Sequence, residues 1–70
     1  MEYYATFTEL IDDAVWGVKE VDFQADSIEE LKEKFKEFYE NNETKRLTYL
    51  LDELYDEDGN EIDIEPFLTI

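Results

Sequence analysis

Ser27-Ile28-Glu29-Glu30-Leu31-Lys32-Glu33-Lys34-Phe35-Lys36-Glu37-Phe38-Tyr39-Glu40-Asn41-Asn42 decides the fold of this chain. Ser27 followed three residues later by Glu30 is a capping box: the hydroxyl accepts from the Glu30 amide while the Glu30 carboxylate reaches back. Ile28, Leu31, Phe35, Phe38 and Tyr39 then recur at helical spacing, and Asn41-Asn42 is a fitting stop. At ~100° per residue, Glu29, Glu30, Glu33, Glu37 and Glu40 fall in one arc away from that stripe, with Lys32, Lys34 and Lys36 at its borders. The spacing predicts a helix that is apolar below and acidic above.

Before the helix, residues 3–10 are rich in aromatic and β-branched side chains, with Tyr3, Ala5 and Phe7 on one face, as in a strand. Asp12-Asp13 reads as a turn. Residues 15–25 read as a second strand, with Trp16 and Val18 on one face and Val21 and Phe23 on the other. The alternation is read as changing phase near Lys19, which predicts a bulge there. The two strands form an antiparallel hairpin.

After the helix, residues 45–55 are ambiguous. Leu47, Leu50, Leu51, Leu54 and Tyr55 suit an amphipathic helix, whereas Leu47, Tyr49 and Leu51 suit a strand. Asp58-Gly59-Asn60 marks a tight turn, and a hairpin over residues 55–64 needs a strand before it, which favours the strand. Pro66 ends regular pairing, and Phe67-Leu68-Thr69-Ile70 is an apolar tail that covers a sheet edge or meets a partner. The expected class is α+β, a small antiparallel sheet in the order β-β-α-β-β with one helix packed on one face.

The chain has 70 residues, with 21 Asp and Glu, six Lys and Arg, and neither His nor Cys, so its formal net charge is −15. That length suits one domain, residues 1–70. The composition excludes disulfides, thiol nucleophiles, imidazole bases and zinc sites of the usual ligand types. Aromatics make up 16% and hydrophobic residues 43%, too much for a solvated acidic chain, so a folded core is expected. No apolar run approaches the ~20 residues of a membrane span, and the start lacks the basic residues of a secretory signal. A soluble cytoplasmic protein is therefore expected.

The charge is uneven. Residues 1–18 hold four acids and no base, residues 19–46 nine acids and all six bases, and residues 47–70 eight acids and no base. Solubility alone calls for a charge of magnitude ~2–8 in a small domain. Clustering this many like charges also destabilises a compact state. An acidic surface with a task explains the excess better than solubility does. Carboxylates at i and i+4 of a helix repeat every ~6 Å, comparable with the phosphates of a winding DNA strand that rises ~3.4 Å per charge.

Other motifs yield less. Aligning Gly59 with the glycine of an EF-hand puts Asp56, Asp58 and Glu65 at ligand positions. Leu54 then takes the first ligand position, Glu61 the central apolar one, and Pro66 stands where a helix should continue. A turn with solvated charges fits better, and no metal or cofactor is expected. Asn42-Glu43-Thr44 matches a glycosylation sequon but lacks an export signal. With 21 carboxylates some pair always stands at a workable distance, and a small chain encloses little volume, so no enzyme is expected. Of the possible aromatic anchors Tyr3, Tyr4, Trp16, Tyr49 and Tyr55, most are needed for the core. Trp16, beside the turn, is the one expected to be partly exposed.

With these features the chain resembles the small, strongly acidic inhibitors made by phages and other mobile elements, including DNA-mimic anti-restriction and anti-CRISPR proteins. Its two strands followed by Asp26-Ser27-Ile28-Glu29-Glu30-Leu31 also resemble the layout of the small RNA-polymerase inhibitor of T7-like phages, over roughly the first 40 residues. The same opening is similar to partial RNase-H-like antitoxins of the HicB type, without their Gly-rich second strand and DNA-binding extension. The resemblance implies an inhibitor that binds the basic site of a nucleic-acid-binding complex, with no direct binding to nucleic acid or membrane, as monomer or homodimer. On charge geometry the candidate contact residues are Glu29, Glu30, Glu33, Glu37 and Glu40 as one row. Asp56, Glu57, Asp58, Glu61 and Asp63 form a second patch, beside Asp12, Asp13 and Trp16 at the turn. The alternative is an interaction module that docks through an edge strand or the tail, its charge serving solubility alone.

Overall fold

The computed structural model describes residues 1–68. Strand β1 (Glu2–Ile11) pairs antiparallel with β2 (Ala14–Gln24) through the two-residue loop Asp12-Asp13. Both loop residues have positive φ, 52° and 66°. That backbone matches the twist of the strands it joins, and a short polar side chain tolerates it. Helix α1 (Ile28–Asn42) follows, then β3 (Leu47–Asp56), which pairs antiparallel with the other side of β1. The sheet order is β2-β1-β3, and the architecture is α+β.

The helix is built as its spacing predicts. The Glu30 amide donates to Ser27 Oγ at 3.1 Å, and the Glu30 carboxylate accepts from the Asp26 amide, one residue before the cap. At the other end Asn42 Nδ2 donates to the Phe38 carbonyl, and Glu43 leaves in an extended conformation. Leu31, Phe35 and Phe38 are buried against Tyr3, Ala5, Phe7, Phe23, Leu51 and Leu54. Phe7 is the hub, stacked on Phe38 at 4.7 Å and edge-on to Phe23 and Phe35. Ile28, expected in the apolar stripe, is instead 41% exposed, because it sits in the first turn beyond the edge of this cluster.

The expected fifth element is absent among the described residues, so the order is β-β-α-β. The tight turn does form: Gly59 has φ +82°, its amide donates to the Asp56 carbonyl, and Asp56 N donates to Asn60 O. Pairing beyond it stops at a single bridge, Tyr55 with Glu61. The chain then turns inward, Ile62 and Ile64 pack on the core, and a 3₁₀ turn at Glu65–Phe67 buries Phe67 edge-on to Phe35 at 5.0 Å. Burying a Phe stabilises by about 1.5–3 kcal/mol, as much as two or three further ladder hydrogen bonds, and Pro66 has no amide to continue a ladder. Of the expected tail, Phe67 is therefore core, Leu68 is exposed, and Thr69 and Ile70 lie outside the described residues.

Two bulges set which side chains share a face. No bulge lies at Lys19: the β1–β2 register is unbroken from Gly17 to Gln24, and the shift falls at Trp16, between the pairs Glu9–Gly17 and Leu10–Val15. Val18 and Val21 differ in parity, so simple alternation already puts them on opposite faces. In β3 the extra residue is Asp52, between the pairs Phe7–Leu51 and Thr6–Glu53. It brings Leu54 onto the same face as Leu47, Tyr49 and Leu51. A bulged strand thus imitates helical spacing, which is why this segment is ambiguous as sequence.

Candidate functional site

Glu29, Glu30, Glu33, Glu37 and Glu40 are all exposed on the side of α1 away from the core. Among the described residues the only ion pair that engages them joins Lys32 to Glu29, at 4.0 Å. The row is not free of base, however. Lys36 lines the same shallow hollow, about 240 Å³, as Glu33, Glu37 and Glu40. Glu30 is also engaged at the helix start, as described above.

At the hairpin turn, Asp12 is held by Arg46, whose Nε and Nη2 both donate to its carboxylate, the shortest contact being 2.8 Å. The Asp12 amide also donates to the Arg46 carbonyl. Asp12 thus ties the β1–β2 loop to the start of β3, while Asp13 and Trp16 project into solvent. Trp16 is 71% exposed because it is the bulged residue.

The second patch divides in the same way. The Asp56 carboxylate accepts from the amides of Asp58 and Asn60, each at 2.9 Å, and from Asn60 Nδ2. The Asn60 backbone bond, foremost, holds this carboxyl below its ordinary range. Asp63 accepts from the Glu65 amide. These two acids shape the segment, and Glu57, Asp58 and Glu61 remain exposed upon it.

The structure gathers a further set of acids that charge counting along the chain overlooks. Register places five cross-strand rows on the sheet face opposite α1. From the hairpin end they run Val15–Leu10–Thr48, Val18–Thr8–Leu50, Glu20–Thr6–Glu53, Asp22–Tyr4–Tyr55 and Gln24–Glu2. Asp52, at the bulge, accepts from the Thr8 hydroxyl on this face. The face therefore holds Glu2, Glu20, Asp22, Asp52 and Glu53, and no base: Lys19 pairs with Phe7 on the helix side. Parity was the available signal, since Glu2 and Tyr4 alternate with Tyr3 and Ala5, and Glu20 and Asp22 with Val21 and Phe23.

The tyrosines report how closely these charges crowd. Tyr4 donates to Glu2 at 2.9 Å, and that bond, reinforced by the nearby charges of Asp22 and Glu57, pushes the Tyr4 phenol up. The same bond, with one from Gln24, draws the Glu2 carboxyl down. Tyr55 is raised chiefly by Glu53, with Glu61 adding to it. Glu57 and Glu61 of the turn thus lie beside Glu2, Asp22 and Glu53 of the sheet, as one acidic end of the molecule. Among the described residues no three Asp or Glu side chains come together as metal ligands. Nor is any helix long and apolar enough to cross a membrane. No family model, curated protein or solved structure matches this chain.

Proposed function

We propose that this protein is a non-enzymatic inhibitor that binds the basic, nucleic-acid-binding site of a host defence or nucleic-acid-processing complex through a surface that imitates a polynucleotide backbone. The observation that carries this reading is the idleness of the charge within the fold. The Glu row stands on α1, and the exposed acids of the 56–63 segment stand on the turn that closes β3. Both lie around a packed aromatic core, and among the described residues only Glu29 of them has a cationic partner. Lys- and Arg-lined grooves made for phosphates recognise such a surface by the same counterion release that drives their binding to DNA. The resemblance to small acidic phage and mobile-element inhibitors supports the same class.

The test is a pull-down from the cell in which the protein acts, followed by affinity measurements on the captured complex at several salt concentrations. Glu33→Lys and Glu37→Lys should each weaken binding far more than Glu65→Lys. The affinity should also fall steeply between about 50 and 200 mM salt. An affinity indifferent to salt rules out the mechanism. The second reading, an interaction module that works through shape, is favoured by the apolar end of the uncovered sheet face. Truncation at Pro66 does not separate the two readings, because it removes the core residue Phe67.

A further inference from the structure

We infer that the sheet face opposite α1 seats one amphipathic helix of a partner protein, apolar along one half and bearing Lys and Arg along the other. Val15 is 75% exposed, Val18 66% and Leu50 51%, and all three fall in the two rows nearest the hairpin turn. Single exposed apolar residues are ordinary, but a contiguous group on one flat surface marks a contact. The remaining rows change character. Tyr4, Thr6, Glu20, Asp22, Glu53 and Tyr55 line a hollow of about 350 Å³ in the same face.

The face therefore has two ends of opposite chemistry, and together they specify the occupant. Three strands at ~4.8 Å spacing span about 10 Å, the width of one helix, and α1 fills the opposite face in that way. An apolar half covers Val15, Val18 and Leu50. In the other half, cationic side chains reach Glu20, Asp22, Glu53 and Glu2, where no base of this chain competes. A guanidinium there also meets the rings of Tyr4 and Tyr55. Charge excludes the other candidates: a second copy brings the same acids and fifteen more net negative charges, and nucleic acid or an anionic membrane is repelled. This surface is separate from the Glu row of α1, and the inference does not depend on that row's role.

The test follows the ¹⁵N-labelled full chain by NMR during titration with three synthetic helical 18-residue peptides. One has a Leu stripe over its first half and Lys and Arg over its second. Another has Glu in place of the Lys and Arg, and the third has the basic half without the Leu stripe. The first should give saturable shifts centred on Thr6, Thr8, Val18, Glu20, Leu50 and Glu53, and the second none. The third should bind this face at least about tenfold more weakly than the first. Val18→Ser with Leu50→Ser, and Glu20→Gln with Glu53→Gln, should each weaken the first peptide's binding about tenfold. These side chains are exposed, so the melting temperature should hold and report that the fold is intact. Glu33→Lys with Glu37→Lys should leave this affinity within about twofold, which separates the result from the fate of the α1 reading. The inference fails if the first peptide does not bind, or if its shifts map to α1 or to residues 56–63. It also fails if both sheet-face double variants bind normally, or if the free protein self-associates through this face.

Discussion

Asp56 shows how an acidic chain can use an acid within its own fold. Its carboxylate gathers two backbone amides and a side-chain amide, and so it closes the turn that leads from β3 into the 3₁₀ segment. Those bonds favour the charged form, so the folded-state pKa lies below the unfolded one. The stabilisation is then complete above the ordinary carboxylate value, ~4, and is lost as pH falls through the lowered value. The protection of the Asp58 and Asn60 amides, taken relative to their intrinsic exchange rates from about pH 5 down to about pH 2, should fall as Asp56 takes up its proton. Asp56→Asn should remove most of that pH dependence; an unchanged profile in the variant would place the titrating group elsewhere. A carboxylate with such bonds is a fixture of the turn before it is a contact for anything else.

Among the elements, β3 is the one that absorbs an inserted residue. With Asp52 in the strand, Leu47, Tyr49, Leu51 and Leu54 all face α1, and the last two are buried. Deleting Asp52 leaves Leu51, Glu53 and Leu54 paired with Phe7, Thr6 and Ala5 in strict alternation, so both Leu side chains still face α1. What the strand needs is the burial itself: truncating one buried Leu to Ala costs about 2–5 kcal/mol, a large share of the ~5–15 kcal/mol that holds a small domain together. Urea titration should place the midpoint of the Asp52 deletion variant near that of the parent, while Leu54→Ala, which empties a buried site, should show a collapsed midpoint or no folded baseline. A deletion variant that fails to fold would mean that the bulge itself, and not only the burial of Leu51 and Leu54, holds the strand. The end of the chain obeys the same economy of apolar groups: Phe67 completes the core from a 3₁₀ turn, where a fourth strand would have left it outside.

At the scale of the molecule the governing quantity is a net charge of −15 in a body of 34 × 20 × 18 Å. The Debye length is ~30 Å at 0.01 M salt, so each carboxylate there feels nearly all the others, whereas at 0.15 M it is ~8 Å. Among the described residues only two ion pairs offset that repulsion, Lys32–Glu29 and Arg46–Asp12. The melting temperature should therefore rise between about 10 and 200 mM NaCl, measured by circular dichroism. A melting temperature that stays level or falls over this range would show that the acids are better compensated than their positions imply. The long dimension matches a ten-residue strand, so the uncovered sheet face runs the length of the molecule.

Read alone, the sequence determined the elements whose logic is local. Ser27 and Glu30 start a helix, the 3.6-residue recurrence of Leu31, Phe35 and Phe38 gives it a buried face, and Asp12-Asp13 and Gly59 make turns. In each case the hydrogen bonds and the side-chain arc lie within a few residues of one another. The exposure of the five α1 carboxylates follows from that same period. What shares a sheet face was decided only by the tertiary structure, because the partners come from segments far apart in the chain, such as Asp22, Tyr4 and Tyr55. Whether Tyr55–Glu61 continues as a ladder depended on what Phe67 could bury, and the bulges at Trp16 and Asp52 follow from strand pairing. The grouping of Glu2, Glu20, Asp22 and Glu53 beside Glu57 and Glu61 is of this second kind. Charge is written in composition, but a surface is made by register.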